Sequence, residues 1–457
     1  MFRKTTGVRT SDLLHGSIAG PIMVFFLPIL IGTLFQQLYN TVDAMVVGNY
    51  VGKEALGAVG GTTGVLINLL VGFVAGIASG STVVVSQYYG SGNQQGVKKA
   101  VCTGMFLAIV LGIALSVFGI ALTPLLLSRM NIPEEVFPLS VSYMRIYLAG
   151  MLPMMIYNNG AGVLRAVGDS KRPLWFLIVS CIANILLDLL FVAVLGMGVD
   201  GAAIATVLSV VVSCVLTLIV LGKSSECYSY RLKETSYEKK MLKRIIAIGL
   251  PTGIQSVLYS VSNVFIQRSV NSFGVDTMAA YTAFGKIDAL YWTTSGAFGT
   301  AVMTFIGQNF GAGNISRVRK GFQVSLLLYA LIAGVLAASL YFGCIYIYPL
   351  FTKDTEVIRI GVELMQYLCP FWITFMFVEI FSSGLRACGD SLVTMLITAV
   401  GVGIFRIIWI YTVPAVTVFD TMRCYPVSWI LTSALFIVYY LHGGWLKRTK
   451  VEFSNEN

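Results

Sequence analysis

Charged side chains are scarce in this chain of 457 residues, in which Asp, Glu, Lys and Arg together make up 11%. An ordinary soluble domain carries about 25% charged residues, so the composition argues against a soluble globular fold. Apolar residues reach 56% and occur in long runs, as a membrane protein requires. The N-terminus lacks a signal-peptide pattern, and its first apolar run is long enough to be retained as a membrane span.

Side chains for catalysis or metal binding are equally scarce. The chain has two histidines, His15 and His442, and eight cysteines that form no CxxC pair. Most of the cysteines lie in apolar runs, where they act as small hydrophobic residues. The sequence contains no GxxxxGK[ST], HExxH or GxSxG motif. We therefore predict neither an ATP-driven pump nor an enzyme, and no cofactor.

Two phrases occur twice, each pair separated by the same offset of 221 positions. Residues 164–170 read LRAVGDS and residues 385–391 read LRACGDS, while 87–93 read QYYGSGN and 308–314 read QNFGAGN. The common offset predicts two tandem copies of one unit, an architecture found among secondary transporters. Their glycines permit tight turns. We assign the phrases to hinges and loops rather than to substrate contact.

At about 20 apolar residues per crossing, the chain contains twelve predicted membrane spans. These cover residues 17–46, 54–86, 97–122, 138–160, 172–195, 200–222, 243–270, 276–305, 318–348, 357–384, 392–415 and 425–446. Several exceed the minimum length and are expected to tilt or bend. The candidate bend sites are Pro28, Pro153, Pro251 and Pro370.

One long polar stretch separates six spans from six. It runs from about 223 to 242 and falls where the repeat predicts a boundary. We therefore expect an N-terminal lobe over residues 1–222, a cytoplasmic linker over 223–242 and a C-terminal lobe over 243–457.

The basic residues predict the orientation. Of the 31 Lys and Arg residues, 22 fall on the side that carries both termini and both repeated phrases, and six fall on the other side. We expect the protein in the plasma membrane, and the positive-inside rule predicts that both termini lie in the cytoplasm. The terminal part of this signal comes from Arg3, Lys4, Arg9, Lys447, Arg448 and Lys450. The net charge of +10 thus reflects topology, and we expect no nucleic-acid partner.

Ionisable groups inside a span are costly and indicate function. Asp43 lies in the outer half of span one, and Asn184 and Asp188 share one face of span five. Thr206 in span six lies at a similar depth. Burial favours the protonated form of a carboxylate, and a second carboxylate favours it further. These groups are predicted to hold a proton or a sodium ion; the alternative is that they only fix helix packing.

The second half differs from the first at these positions. The offset places Phe405 and Trp409 opposite Asn184 and Asp188. Arg268 is one of the intramembrane charges of the second half, and the other four are Lys286, Asp288, Glu379 and Arg406. They form either a structural charge network or a substrate-facing polar patch, and the sequence leaves both open.

The combined pattern resembles one family over nearly the whole chain. It comprises two six-span halves, both pairs of repeated phrases, Val42-Asp43 followed by Gly48 and Gly52, and the Asn184/Asp188 pair. These features resemble the multidrug and toxic compound extrusion (MATE) transporters, and the linker and second-half charges resemble their Gram-positive multidrug branch.

The resemblance implies a fold and a function. It implies an all-α membrane protein of twelve helices in two pseudo-symmetric six-helix bundles, arranged as a V-shaped pair of lobes and present as a monomer. It implies cation-coupled antiport, in which protons or sodium ions enter while amphipathic or cationic small molecules leave by alternating access. The lipid bilayer is the other expected partner. A flippase for lipid-linked oligosaccharides is the alternative, disfavoured by the few basic residues inside the spans.

The resemblance also assigns residues. The cation site, including any sodium site, is implied at Asp43, Asn184, Asp188 and Thr206. Gln36 corresponds to a residue that lines the drug pocket, with Tyr39 and Asn158 as neighbours. The candidate substrate contacts of the second half are Glu379, Lys286, Asp288 and Arg406. Aromatic rings expected to attract a cationic substrate are Tyr39, Tyr259, Tyr281 and Trp292.

Overall fold

A computed structural model describes residues 13–130 and 132–446, and these residues contain helices and no strands. The α-helices, named α1 to α17 in chain order, are Ala19–Tyr50, Lys53–Gly60, Thr62–Gly90, Gln94–Ser128, Phe137–Ala149, Met151–Ala166, Lys171–Asp188, Gly198–Lys223, Lys239–Asn271, Val275–Gly311, Ile315–Ile347, Thr355–Leu368, Phe375–Ala387, Ser391–Thr398, Phe405–Thr412, Val418–Met422 and Cys424–His442. Two π-helical segments, Leu189–Val194 and Ala399–Ile404, follow α7 and α14. Three 3₁₀ segments are Leu232–Glu234, Tyr348–Leu350 and Cys369–Thr374.

The helices account for the twelve predicted spans. Ten helical segments of the described residues are long and apolar enough to cross a membrane, and α5 with α6 forms an eleventh that is bent by 46°. Helix α10 has 37 residues, but Asp276, Lys286 and Asp288 interrupt its apolar sequence. It is largely buried against other helices. Burial against protein rather than lipid lowers the free-energy cost of polar residues in a span. The all-helical, twelve-span prediction is confirmed.

Proline explains some of the bends but not all of them. Pro370 lies in the 3₁₀ segment that separates α12 from α13, so the predicted span 357–384 is interrupted there. The bend between α5 and α6 lies at Gly150, three residues before Pro153. Helices α1 and α9 continue through Pro28 and Pro251, because a membrane helix tolerates the loss of one backbone hydrogen bond.

The two halves of the chain meet along a glycine-rich crossing of α3 and α9. A methyl group added at Gly76 would lie 2.4 Å from the backbone nitrogen of Gly253, and one at Gly80 would lie 2.4 Å from the carbonyl oxygen of Ile245. One at Gly249 would lie 2.7 Å from the carbonyl oxygen of Ile77. Small residues let helix backbones approach this closely in a membrane. The crossing therefore joins the halves by direct backbone contact.

The predicted linker is ordered and packs on α4. Lys98 Nζ donates to the carbonyl oxygen of Ser229 at 2.7 Å and pairs with Glu234 at 2.5 Å. Its hydrogen bond holds the pKa of the Glu234 carboxyl below the ordinary value. Tyr230 is buried, and its backbone N–H donates to the carbonyl oxygen of Leu221. Residues 224–238 are called the strap below.

The strap and the repeated phrases lie at the same end of the bundle. The strap contacts the beginning of α4, which follows directly after the first QxxGxGN phrase at residues 87–93. This is the end predicted to be cytoplasmic. The terminal basic residues that contribute to that prediction, Arg3, Lys4, Arg9, Lys447, Arg448 and Lys450, lie outside the described residues. The lobe boundaries and the orientation remain predictions.

Candidate functional site

A cavity of about 320 Å³ lies between α1 of the first half and α10 of the second. Its lining is apolar and uncharged polar, with one large aromatic ring. The lining residues are Ile29, Thr33, Gln36, Gln37, Trp292, Thr293, Gly296, Ala297 and Thr300. Amide and hydroxyl groups beside an indole ring suit a flat amphipathic molecule.

The four predicted cation-site residues are all buried, and their helices pack together. Asn184 and Asp188 are fully inaccessible, and Asp43 and Thr206 retain 8% and 7% of their surface. Helix α1, which carries Asp43, packs against α7, and α7 packs against α8, which carries Thr206. Asp43 and Asp188 are close enough for the charge of one to act on the other.

The polar atoms of this cluster are largely without protein partners. Within the described part of the chain, Asp43 Oδ1, both carboxylate oxygens of Asp188, and Asn184 Oδ1 and Nδ2 make no hydrogen bond. Thr206 Oγ1 donates to the carbonyl oxygen of Ala202 at 3.0 Å, which leaves its lone pairs available. Buried polar groups are nearly always partnered. A shared proton, or a hard cation with oxygen ligands, is the chemistry that this donor set fits.

Two tyrosines surround the acidic pair. Tyr39, which was assigned from the resemblance, interacts with Gln36 and with the charges of Asp43 and Asp188. Tyr143 of α5 is buried and interacts electrostatically with both carboxylates. Sequence reasoning missed Tyr143, because no spacing in the chain indicates that α5 adjoins α1 and α7.

A small separate hydrophobic core adjoins the cluster. It contains Val46 and Val47 of α1, Tyr143, and Val192 of the π-helical segment that begins immediately after Asp188. π-Helical turns occur frequently at functional sites, because the extra residue redirects side chains. The helix irregularity beside Asp188 therefore agrees with a functional rather than a purely structural acid.

The structure separates the predicted substrate contacts of the first half. Gln36 lines the cavity. Tyr39 and Asn158 are not among its lining residues, and Asn158 Nδ2 donates to the carbonyl oxygen of Met154 within its own helix. Gln36 and Tyr39 thus connect the cavity to the acidic pair, whereas Asn158 stands apart.

The second half has a half-buried acid, Asp288, that bonds the cavity-lining ring of Trp292. Trp292 Nε1 donates to Asp288 Oδ2 at 2.6 Å, while no described residue bonds Asp288 Oδ1. Arg406 is buried near Asp288 and affects its charge. The Arg406 Nε donates to Ser428 Oγ at 3.0 Å, and its guanidinium lies 4.3 Å from the ring centre of Tyr425. Asp288 therefore orients the one large ring in the cavity.

The four second-half charges do not form a single cluster. Lys286 is exposed, on a different face of α10 from Asp288. Glu379 lies apart, where its Oε1 accepts a hydrogen bond from Ser383 Oγ at 3.2 Å and packs against Gly299. Arg406 acts on the charge of Asp288, whereas Glu379 and Asp288 both act on Tyr291. Neither the single four-residue network nor the single polar patch describes the arrangement, because Lys286 is exposed on another face of α10 than Asp288 and the other two charges lie on α13 and α15.

Of the aromatic rings predicted to attract substrate, one lines the cavity. Trp292 does so, whereas the Tyr281 hydroxyl is bonded to the Tyr425 hydroxyl at 3.0 Å in the second half. Tyr259 is partly buried within α9. The polar lining residues Thr33, Gln37, Thr293 and Thr300 were missed. Their signal is helical spacing, since Thr33 and Gln37 are i, i+4 on the face that also carries Gln36.

Comparison with known proteins identifies the family. The MatE family model matches residues 28–190 and again residues 251–412. The chain is 30% identical, over 82% of each chain, to the probable multidrug resistance protein YoeA of Bacillus subtilis (strain 168). It is 25% identical to the FAD transporter of Shewanella oneidensis (strain ATCC 700550 / JCM 31522 / CIP 106686 / LMG 19005 / NCIMB 14063 / MR-1), over 76% of this chain and 78% of the relative.

A solved structure agrees in fold. An outward-facing multidrug resistance MATE family transporter of the MOP superfamily superposes with a TM-score of 0.88 at 22% identity, covering 98% of this chain and all of the other. One family model matches twice in tandem, and the relatives align with this chain over most of their length. The chain belongs to the MatE family of multidrug transporters, as its repeated phrases and paired acids indicated.

Proposed function

We propose that this chain is an antiporter that exports amphipathic or cationic small molecules in exchange for protons or sodium ions. The observation that carries the proposal is the buried first-half cluster of Asp43, Asn184 and Asp188, in which Asp43 Oδ1 and all side-chain polar atoms of Asn184 and Asp188 make no hydrogen bond with the described residues. Unpaired carboxylates in a membrane protein are expensive. A transported cation that binds to these carboxylates and later dissociates would serve as their partner.

Coupling requires that the ion and the substrate favour different states of the protein. A bound proton or sodium ion removes one negative charge from the Asp43–Asp188 pair. Tyr39 interacts with both carboxylates and with Gln36, which lines the cavity. A change of charge at the acidic pair thus alters the surroundings of Tyr39 and the position of Gln36. The cavity then holds its occupant less well once the ion is bound.

The uncharged lining of the cavity supports a broad substrate range. The polar groups of Thr33, Gln36 and Thr300 offer hydrogen bonds in many directions, and Trp292 offers a flat face. An indole ring attracts cations through its face, while amides bond ring heteroatoms. Because one relative is named an FAD transporter, FAD is a sensible second probe beside a cationic dye.

The decisive experiment reconstitutes the full chain in liposomes loaded with an ethidium-like dye. A pH gradient and a sodium gradient are imposed separately, and dye movement is followed by fluorescence. We expect one gradient to accelerate dye movement, in the direction opposite to the flow of that ion. Dye movement that responds to neither gradient would overturn the antiport proposal.

The first prediction concerns the acidic pair. Asp43→Asn and Asp188→Asn remove the ionisable group at nearly constant shape, so gradient-driven dye export should fall to the rate seen without a gradient. Asp276→Asn, the same change at an exposed position in the first turn of α10, is the matched control and should retain export. Full export by both acidic-pair variants at equal protein levels would assign these residues to helix packing instead.

A further inference from the structure

The repeated phrases bond each other crosswise between the two halves. Gln87 Nε2 donates to the carbonyl oxygen of Ala387 at 2.6 Å, and Gln308 Nε2 donates to the carbonyl oxygen of Ala166 at 2.7 Å. Both glutamines and both alanines are related by the 221-residue offset. Each QxxGxGN phrase therefore bonds the LRAxGDS phrase of the other half. The four residues are called the latch below.

The backbones at the latch are in direct contact. A methyl group added at Gly90 would lie 1.9 Å from the carbonyl oxygen of Gln308, and one at Gly311 would lie 1.9 Å from the carbonyl oxygen of Gln87. Gln87 and Gln308 retain 0% and 2% of their surface. Water therefore cannot replace either bond while the halves stay together.

The latch carries one asymmetric addition. Arg244 Nη2 donates to Gln87 Oε1 at 2.6 Å, and its guanidinium lies 5.5 Å from the ring centre of Tyr88. The position 221 residues earlier is Met23, so the equivalent position of the first half carries no cation. Arg244 fixes the Gln87 amide with its Nε2 directed at Ala387, because the oxygen of the amide is already engaged.

We propose that Gln87 and Gln308 are positioning residues for transport, which hold the latch end closed and must release both carbonyls each time the cavity opens to that side. The inference rests on the alternating access proposed above. Bonds that exist in only one of two states stabilise that state alone. Duplication explains the geometry, since each half contributes one donor and one acceptor at equivalent positions.

The test measures access to the cavity from the latch side. Thr300 lines the cavity and precedes Gln308 by eight residues on α10, about 12 Å along the helix axis. Thr300→Cys is introduced with Cys227→Ser and Cys388→Ser, because Cys227 is half-buried and Cys388 adjoins the latch residue Ala387. The other six cysteines are buried. A membrane-impermeant maleimide is then applied to the latch side of vesicles of known sidedness, and the labelling rate is measured.

Removing the amides should speed this labelling. Gln87→Met or Gln308→Met should raise the rate about fivefold, and the double variant on the order of twentyfold, as expected for lost hydrogen bonds that act independently. Gly90→Ala is an independent variant that keeps both amides and forces the backbones apart, and it should raise the rate as well. Gln255→Met is the matched control, because this buried glutamine bonds Ser382 and Thr398 within the second half.

The outcomes separate the latch from the proposed function. Wild-type labelling rates in Gln87→Met, Gln308→Met and Gly90→Ala would overturn the latch, whatever happens to dye export. Equal acceleration by Gln255→Met would also overturn it, since general loosening would then explain the result. Faster labelling in the latch variants alone supports it, even if the wild-type protein moves no dye and the antiport proposal fails.

Discussion

At the scale of single residues, Trp292 combines a place in the cavity with a fixed orientation. Its indole N–H is held by Asp288 at 2.6 Å, and its ring packs edge-on against Tyr291 and Phe375. Such a ring loses little freedom when a ligand lies against it. Substrate affinity should therefore depend on this one side chain more than on the hydroxyls and amides around it.

The prediction is that Trp292→Leu raises KM for export of a cationic dye about tenfold, through loss of the cation–π contact and of apolar area, while kcat changes less. Initial export rates measured against dye concentration give both values. Trp175→Leu is the matched control, since Trp175 is 62% exposed on α7 and should leave KM unchanged. An unaltered KM in Trp292→Leu would place the dye elsewhere.

Residues can be predicted from sequence where their own spacing marks them. Asn184 and Asp188 share a helix face, and the structure buries both beside Asp43. Lys286 and Asp288 illustrate the limit, because their two-residue separation shows that they face apart but not which one turns inward. Tyr143 leaves no local signal at all, since its relation to Asp43 depends on how α5 packs on its neighbours.

At the scale of elements, the strap shows how a polar linker becomes ordered. Tyr230 is buried at its centre, its hydroxyl bonds Thr235, and Lys98 and Lys99 pair with Glu234 and Glu238. Exposed ion pairs contribute little to stability. The buried ring is therefore expected to supply most of the energy that docks the strap.

The prediction is that Tyr230→Ala releases the strap, because truncating a large buried aromatic ring is among the more costly substitutions. Trypsin cleavage at Arg231 or Lys233 should become on the order of tenfold faster, as followed by gel electrophoresis. Tyr346→Ala, at a 79% exposed tyrosine of α11, should leave the cleavage rate at its wild-type value. Unchanged cleavage of Tyr230→Ala would show that the ion pairs suffice.

Helix existence was more predictable than helix continuity. Apolar length alone predicts α1 or α4, whereas α10 is polar enough to resemble a weak span and is stabilised by its burial. Gly150, rather than Pro153, marks the bend between α5 and α6. Composition indicates whether a segment can cross a membrane. The position of a helix break depends instead on which neighbouring groups can hydrogen-bond the backbone atoms that the break leaves unpaired.

At the scale of the whole molecule, the scaffold is symmetric and the chemistry is not. The offset of 221 residues predicts the duplication and therefore the equivalence of Gln87 with Gln308. The offset cannot predict that each glutamine bonds the opposite half. The same offset would be found if each glutamine bonded a residue of its own half. The acids follow no such rule, since Asp188 has Trp409 as its counterpart.

Orientation is the last property of the whole molecule that can be tested directly. The distribution of Lys and Arg predicts that the latch end and the strap face the cytoplasm. The segment between α15 and α16 would then face outward, and Val416 there is highly exposed. Val416→Cys should react with an impermeant maleimide in intact cells, whereas Ser224→Cys in the strap should react only after the membrane is opened. Both cysteines are placed in the Cys227→Ser background, which alone should remain unlabelled under either condition. If Ser224→Cys is labelled in intact cells and Val416→Cys only in opened ones, the latch and the strap lie on the outer face of the membrane. The cation gradient that drives export would then have to act from the side of the protein opposite to the one predicted.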